Sequence, residues 1–164
     1  MHGSKITFRR ESGENILEAE QWVPRGVAEV FRFFSAETNL EALTPPHLSF
    51  KVLDKSTPEI ETGTLIRYRL RIRGFPVGWI TRIDEWVPGV RFVDTQLSGP
   101  YALWHHTHQF ESLEGGTLMK DRVRFRVPLG RIGQLLTGGL VRRDVEGIFR
   151  YRMQVIARMY GATG

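Results

Sequence analysis

The sequence predicts an α+β fold in which a curved antiparallel β-sheet wraps around a long C-terminal α-helix, with two short helices after the first strand. Three observations carry this. From residue 48 to 127, apolar and polar residues alternate with a period of two, punctuated by turn-forming residues at short spacing. At Pro128 the period changes, and apolar residues then recur at three- and four-residue steps as far as Tyr160. Ahead of both, an alternating stretch runs into a helical one across Pro24 and Gly26.

The first strand is 14–23 (ENILEAEQWV), with 5–10 (KITFRR) as an extension or partner. The run VAEVFRFF then sets Val27, Val30, Phe31 and Phe34 on one helical face. A second helical turn over 38–43 stops at Pro45-Pro46, which cannot continue a helix. The strands that follow are 48–54, 63–73, 78–87, 90–97, 101–112 and 117–127. Pro58, Gly74-Phe75-Pro76, Pro88-Gly89, Ser98-Gly99-Pro100 and Gly115-Gly116 separate them. Short connections between successive strands imply an antiparallel meander. From Pro128 to Tyr160, Ile132, Leu135, Leu136, Leu140, Val141, Val145, Ile148, Phe149, Met153 and Ile156 form the apolar face of the long helix. Arg142, Arg143, Asp144, Glu146, Arg150 and Arg152 are expected on its wet side, and Gly138-Gly139 marks a kink or break. A strongly twisted sheet of this size cannot close its concave face with its own side chains, so the helix must lie across it. A cavity between the two layers is where a small ligand would bind.

The 164 residues suit a single domain, 1–164, with a core that needs no staples. No cysteine is present, which excludes disulfides, thiolate metal sites and a cysteine nucleophile, and fits a cytoplasmic location. No apolar run suits a signal peptide or a membrane span, so no membrane insertion is expected. The net charge of +5 raises the question of nucleic acid, but the distribution points elsewhere. Arg67, Arg69, Arg71 and Arg73 alternate with Tyr68, Leu70 and Ile72, and Arg122, Arg124 and Arg126 alternate with Val123, Phe125 and Val127. Such ladders wet the outer face of a half-buried strand and pair with acids on neighbouring strands, so no nucleic-acid partner is expected.

Four stretches carry a resemblance to a known family: VPRGVAEVFRFFSAETNLEALTPP (23–46), with its strand-to-helix entry at Val23-Pro24 and its NLEALTPP segment (39–46), RGFPVGW (73–79), RFVDTQLSGPYALWHHTHQF (91–110) and DRVRFRVPLG (121–130). Together with the element order, they resemble the START-related helix-grip superfamily, SRPBCC, over nearly the whole chain. The superfamily includes pollen-allergen-type carriers, lipid-transfer domains and polyketide cyclase/dehydrase proteins. The resemblance implies the helix-grip fold and leaves carrier, sensor and enzyme open. In some relatives the domain is fused to a nucleotide-sugar epimerase-like enzyme; no glycine-rich dinucleotide fingerprint follows a strand here.

The chemistry-bearing candidates lie in the strand 101–112. Alternation puts Trp104, His106, His108 and Phe110 on one face and Tyr101, Leu103, His105, Thr107 and Gln109 on the other. The two large aromatics suggest that the first face looks inward, so His106 and His108 would line the cavity. Two histidines two residues apart, with Cβ atoms about 6.6 Å apart, could share a metal ion. A catalytic zinc site needs a third ligand, which Asp94 or Glu85 supplies only if the sheet aligns them, so no metal and no cofactor are expected. An Asp94–His contact is the sharper expectation, because a polar group in an apolar cavity is costly unless paired. Such a pair could serve enolisation or dehydration of a polyketone, with a histidine moving the proton and Asp94 or Tyr101 assisting. Gln96 shares the face of Asp94, or else satisfies the hairpin backbone. Tyr68 with Leu70 and Ile72, Trp79 with Thr81 and Ile83, and Tyr101 at the mouth complete the expected lining.

Three functions follow as expectations. The leading one is binding of a hydrophobic or aromatic small molecule through Tyr68, Trp79, Asp94, Gln96, Tyr101, Trp104, His106 and His108. The second is a metal-free cyclase or dehydratase using Asp94, His106 and His108. The third is an accessory domain that docks on an epimerase-like enzyme through the arginine-rich sheet face. A homodimer through the edge strand 48–54 is a further partner expectation.

Overall fold

A computed structural model describes residues 3–161. The described residues form one eight-stranded antiparallel sheet, in the spatial order β1 (Lys5–Glu11), β2 (Glu14–Val23), β8 (Gly116–Arg126), β7 (Leu103–Leu113), β6 (Arg91–Ser98), β5 (Phe75–Val87), β4 (Leu65–Ile72), β3 (Lys51–Lys55). The other elements are α1 (Val27–Phe34), 3₁₀ turns at Glu37–Asn39 and Pro46–Leu48, and α2 (Gly130–Tyr160). The sheet curves around α2 in the helix-grip arrangement. No helix among the described residues is long and apolar enough to cross a membrane.

The period-two pattern becomes burial directly. Along β8, Met119, Asp121, Val123 and Phe125 are buried while Arg122 and Arg126 are exposed. Leu17 and Val123 are paired residues of β2 and β8, and both are fully buried with Phe125. Each such side chain contributes about 1.5–3 kcal/mol by leaving water. Two core clusters share the concave face. One packs α1 (Val30, Phe31, Phe34) on Phe92, Phe110 and Met119; the other packs Val145 and Phe149 of α2 on Leu17, Trp104, Val123 and Phe125. Several of the outer arginines are neutralised locally. Arg124 holds Glu14, Arg9 and Arg122 hold Glu18, Arg82 holds Asp84, and Arg67 holds Asp54.

Several boundaries differ from the pattern for identifiable reasons. The helical turn expected over 38–43 is 3₁₀ only to Asn39, because Asn39 and Thr44 spend their side chains on the carbonyls of Phe33 and Leu40. Strand β3 begins at Lys51 rather than residue 48, since Pro46–Leu48 forms a 3₁₀ turn and Ser49 is left-handed. Strand β5 begins at Phe75 because the β4–β5 turn is Arg73-Gly74, both at positive φ, and not the expected Gly74-Phe75-Pro76.

The long helix departs most. It runs unbroken through Gly138-Gly139. A Cβ at Gly138 would meet the Gln134 side chain at 2.1 Å, and Gln134 is needed to accept a 2.8 Å hydrogen bond from the buried Asn15 of β2. Ile132, Leu135, Leu136 and Leu140, expected to face the core, are exposed. Arg152, expected on the wet side, is only 8% exposed. It shares the buried face of Val145, Phe149 and Ile156 at helical spacing, and its guanidinium lies 5.1 Å from the Phe34 ring centroid.

Candidate functional site

A cavity of about 480 Å³ lies between the concave sheet and α2. Its walls are mostly apolar and aromatic. Of the residues singled out from sequence, Tyr68, Trp79, Asp94, Tyr101, Trp104, His106 and His108 all line it. Gln96 does not. Its amide donates to the Tyr101 carbonyl at 2.8 Å and accepts from the Tyr101 N–H at 3.1 Å, so the side chain is consumed in pinning the β6–β7 turn. Gly99 makes that possible, because a Cβ there would lie 2.6 Å from the Gln96 amide oxygen. Glu85 also drops out, since it pairs with Arg91.

The aromatic wall is contiguous. Trp79 meets Tyr101 and Trp104 with ring centroids 5.6 and 5.4 Å apart. The Tyr68 and Tyr101 hydroxyls are both pushed up by burial, so each stays protonated and can only donate or accept a hydrogen bond at ordinary pH.

On one side of the cavity, β6, β7 and β8 bring two carboxylates and two imidazoles together. His106 and His108 lie on the same face of β7 with ring centroids 3.6 Å apart, and Phe92 stacks on His108 at 4.0 Å. Asp94 sits opposite His106 in register but accepts a 2.7 Å hydrogen bond from Nε2 of the diagonal His108. Asp121 mirrors this. It sits opposite His108 yet accepts a 2.9 Å hydrogen bond from Nε2 of His106. The remaining nitrogens complete a ring of contacts: His108 Nδ1 lies 3.0 Å from Asp121 Oδ1, outside hydrogen-bond alignment, and His106 Nδ1 lies 3.8 Å from Asp94 Oδ2. Arg152 stands 3.7 Å from Asp121.

Charge balance decides the protonation. Two carboxylates against one guanidinium leave one negative charge, which one imidazolium neutralises and two would overshoot. Burial and the neighbouring His108 push the pKa of His106 down to about 4. Burial opposes charge on His108 too, but the contacts with Asp121 and Asp94 outweigh it and its pKa rises. Burial alone would raise Asp94, but the hydrogen bond from His108 together with the charges of His106, His108 and Arg152 holds it below the usual carboxylate range. Asp121 is held lower still: burial opposes its charge too, and Arg152, His106 and His108 together overcome that cost. The arrangement sets an imidazole whose charged form is disfavoured beside one whose charged form is favoured, at the edge of an apolar cavity, which is equipment for orienting a polar group or moving a proton.

One ligand atom each from Asp94, His106 and His108 lie within 4.8 Å of one another, so these three could also surround a metal ion. A cation there would have to replace the proton that His108 now shares with Asp94.

Two members of the cluster were not among the residues singled out from sequence. Asp121 has the parity of Val123 and Phe125, the inward residues of its strand, so alternation alone could have found it. Arg152 was hidden by the habit of placing arginine in water, although its spacing from Phe149 and Ile156 marks the buried face.

A family model described as "Polyketide cyclase / dehydrase and lipid transport" matches residues 23–149. No curated protein matches significantly. Among solved structures, the Zhui aromatase/cyclase from Streptomyces sp. R1128 superimposes with a TM-score of 0.70 at 14% identity, over 90% of this chain and 94% of that one. Protein Ms6760 from Mycobacterium smegmatis gives 0.67 at 13% identity over 94% and 99%. Ara h 8.0201 gives 0.60 at 17% identity over 88% and 99%. At these identities the likeness speaks for the fold.

Proposed function

The chain belongs to the polyketide cyclase / dehydrase and lipid transport family, and from that premise we propose that it binds a hydrophobic or aromatic small molecule between the sheet and α2. The observation that carries the reading is the cavity of about 480 Å³, with aromatic walls and the Asp94–His106–His108 cluster at one place on its lining. A volume of that order, with few convergent polar groups, suits a small-molecule site. Apolar burial supplies the affinity, and the cluster turns a carbonyl or hydroxyl of the ligand toward itself. Native mass spectrometry of the purified protein tests this: an added mass of one small molecule per chain is expected, removed on denaturation. Failure to take up any apolar small molecule, co-purified or added, would overturn it.

A second reading is favoured by one observation, the crossed hydrogen bonds of His106 to Asp121 and of His108 to Asp94, an arrangement that pushes the two imidazole pKa values in opposite directions. Pairs pushed apart in this way divide acid and base roles between them. A cyclase or dehydratase would use the imidazolium of His108 as proton donor and the Asp94 carboxylate or neutral His106 as acceptor. General acid–base catalysis contributes about 10²–10⁴-fold. His108→Asn should then lower kcat by about that factor with KM little changed. If turnover survives His106→Asn, His108→Asn and Asp94→Asn alike, catalysis at this cluster is wrong.

A further inference from the structure

The first third of α2 turns its apolar residues away from the protein. Leu135 is 86% exposed, Leu136 74% and Ile132 68%, and Leu129, just before the helix, is 80% exposed. With Leu140 they fall on one helical stripe at three- and four-residue spacing. Leu129 is held outward at φ +63, a left-handed conformation that branched side chains adopt at a cost. Among the described residues none covers this stripe, although the second half of the same helix is buried at Val145, Phe149 and Ile156.

From Leu129 to Arg143 the charged residues are all basic; Arg142 is taken by Glu146 at 2.9 Å and lies over the Phe8 ring, which leaves Arg131 and Arg143 to set the charge beside the stripe. Helical spacing places Arg143 at the far end of the stripe and Arg131 with Arg142 along its flank. The position of the stripe is also informative. Leu136 and Leu140 immediately precede Thr137 and Val141, which line the cavity with Asp144. The β4–β5 hairpin, tied to the helix by Arg73 and Asp144 at 3.0 Å, brings exposed Phe75 to its tip.

We propose that this stripe docks the protein peripherally on an anionic lipid bilayer, with the mouth of the cavity beside the surface. An in-plane helix buries its apolar face at the headgroup boundary while basic side chains meet anionic lipid, which is the pattern of residues 129–143. A second copy of the chain is a poorer occupant, because a two-fold contact on the stripe would bring Arg131 and Arg143 of both copies together, while the nearby Glu146 is already bound to Arg142. The docking requires no ligand in the cavity, so it can fail while the small-molecule reading stands, and the reverse.

The test is co-sedimentation with vesicles of phosphatidylcholine and phosphatidylglycerol (about 3:1), against vesicles of phosphatidylcholine alone. The wild-type protein should pellet with the anionic vesicles and be released by high salt. Leu135→Asp with Leu136→Asp should weaken partitioning about tenfold or more, and Arg131→Gln with Arg143→Gln should act in the same direction. Both pairs are exposed, and unchanged circular dichroism will show that the fold survives. Since the chain has no cysteine, a single Leu136→Cys can carry an environment-sensitive dye. Its emission should shift to the blue on anionic vesicles, whereas a dye at Arg10→Cys on β1 should not respond. Absence of binding, equal binding to both vesicle types, or undiminished binding by the Leu135/Leu136 variant would overturn the proposal. So would a concentration-dependent dimer abolished by the same substitutions, which would show that a second copy covers the stripe.

Discussion

Asp94 faces His106 across the β6–β7 pair but spends its 2.7 Å hydrogen bond on His108, the diagonal neighbour. Asp121 makes the mirror choice from β8, facing His108 and bonding His106. The crossed pattern gives both imidazoles carboxylates at both ends and makes their protonation states interdependent.

The first prediction concerns pH. Imidazole NMR should show His108 titrating above its ordinary 6.5 and His106 far below it, near 4. The raised pKa of His108 means that its stabilisation is complete below about pH 6.5 and is lost as pH rises through the folded value. For His106 the order is reversed: its neutral form is favoured, so stability is complete above about pH 6.5 and is lost as pH falls toward 4. Asp94 and Asp121, both held low, add to the loss on the acid side. Thermal unfolding should therefore show a maximum with decline on both flanks. Two histidines titrating together near 6.5 would contradict the charge balance described above.

Asp94→Asn removes one carboxylate from a buried, paired cluster. Breaking such a pair typically costs about 3 kcal/mol. Urea unfolding near neutral pH should show a loss of that order, and the pKa of His108 should fall. A loss under about 0.5 kcal/mol would place the pair in the class of exposed bridges.

Arg152 is the cation that balances Asp121. Arg152→Met should cost about 3 kcal/mol by leaving a buried carboxylate exposed to one fewer positive charge. Adding Asp121→Asn should recover part of that loss, since the two changes act on one interaction. Additive effects in the double-mutant cycle would mean that the 3.7 Å separation carries no coupling.

Arg73 and Asp144 bridge the β4–β5 hairpin to α2, and both line the cavity while staying partly exposed. The pair is largely exposed, so Arg73→Ala should change stability by less than about 1 kcal/mol. Release of a bound fluorophore, followed by stopped flow, should accelerate severalfold. An unchanged rate would locate the exit elsewhere.

The fold was legible because its signals are local. Strict alternation along Leu65–Ile72 and Gly116–Arg126 and the change of period at Pro128 report backbone geometry directly. What escaped depends on contacts across the chain. Nothing local distinguishes Leu135, which faces solvent, from Val145, which is fully buried, because the inward face of the first third of the helix is built from Gly133, Gln134 and Gly138 and not from its leucines. Gly138-Gly139 reads as a break until Gln134 is seen reaching to Asn15. Gln96 has the parity of a lining residue but is taken up by the Tyr101 backbone. Conversely, the separation of His105 from the inward pair His106 and His108 needed only the strand period, whereas the role of Asp121 needed a third strand.

The measurement that tests the central claim most directly is titration of an environment-sensitive apolar naphthalene fluorophore into the wild-type protein and into Leu70→Trp. Leu70 is a buried wall residue of the cavity, so an indole there fills ligand space while the fold has room to take it. The account predicts saturable binding of one fluorophore per chain to the wild type and at least about tenfold weaker binding to a still-folded Leu70→Trp. Absence of saturable binding, or equal binding by the variant, would contradict it.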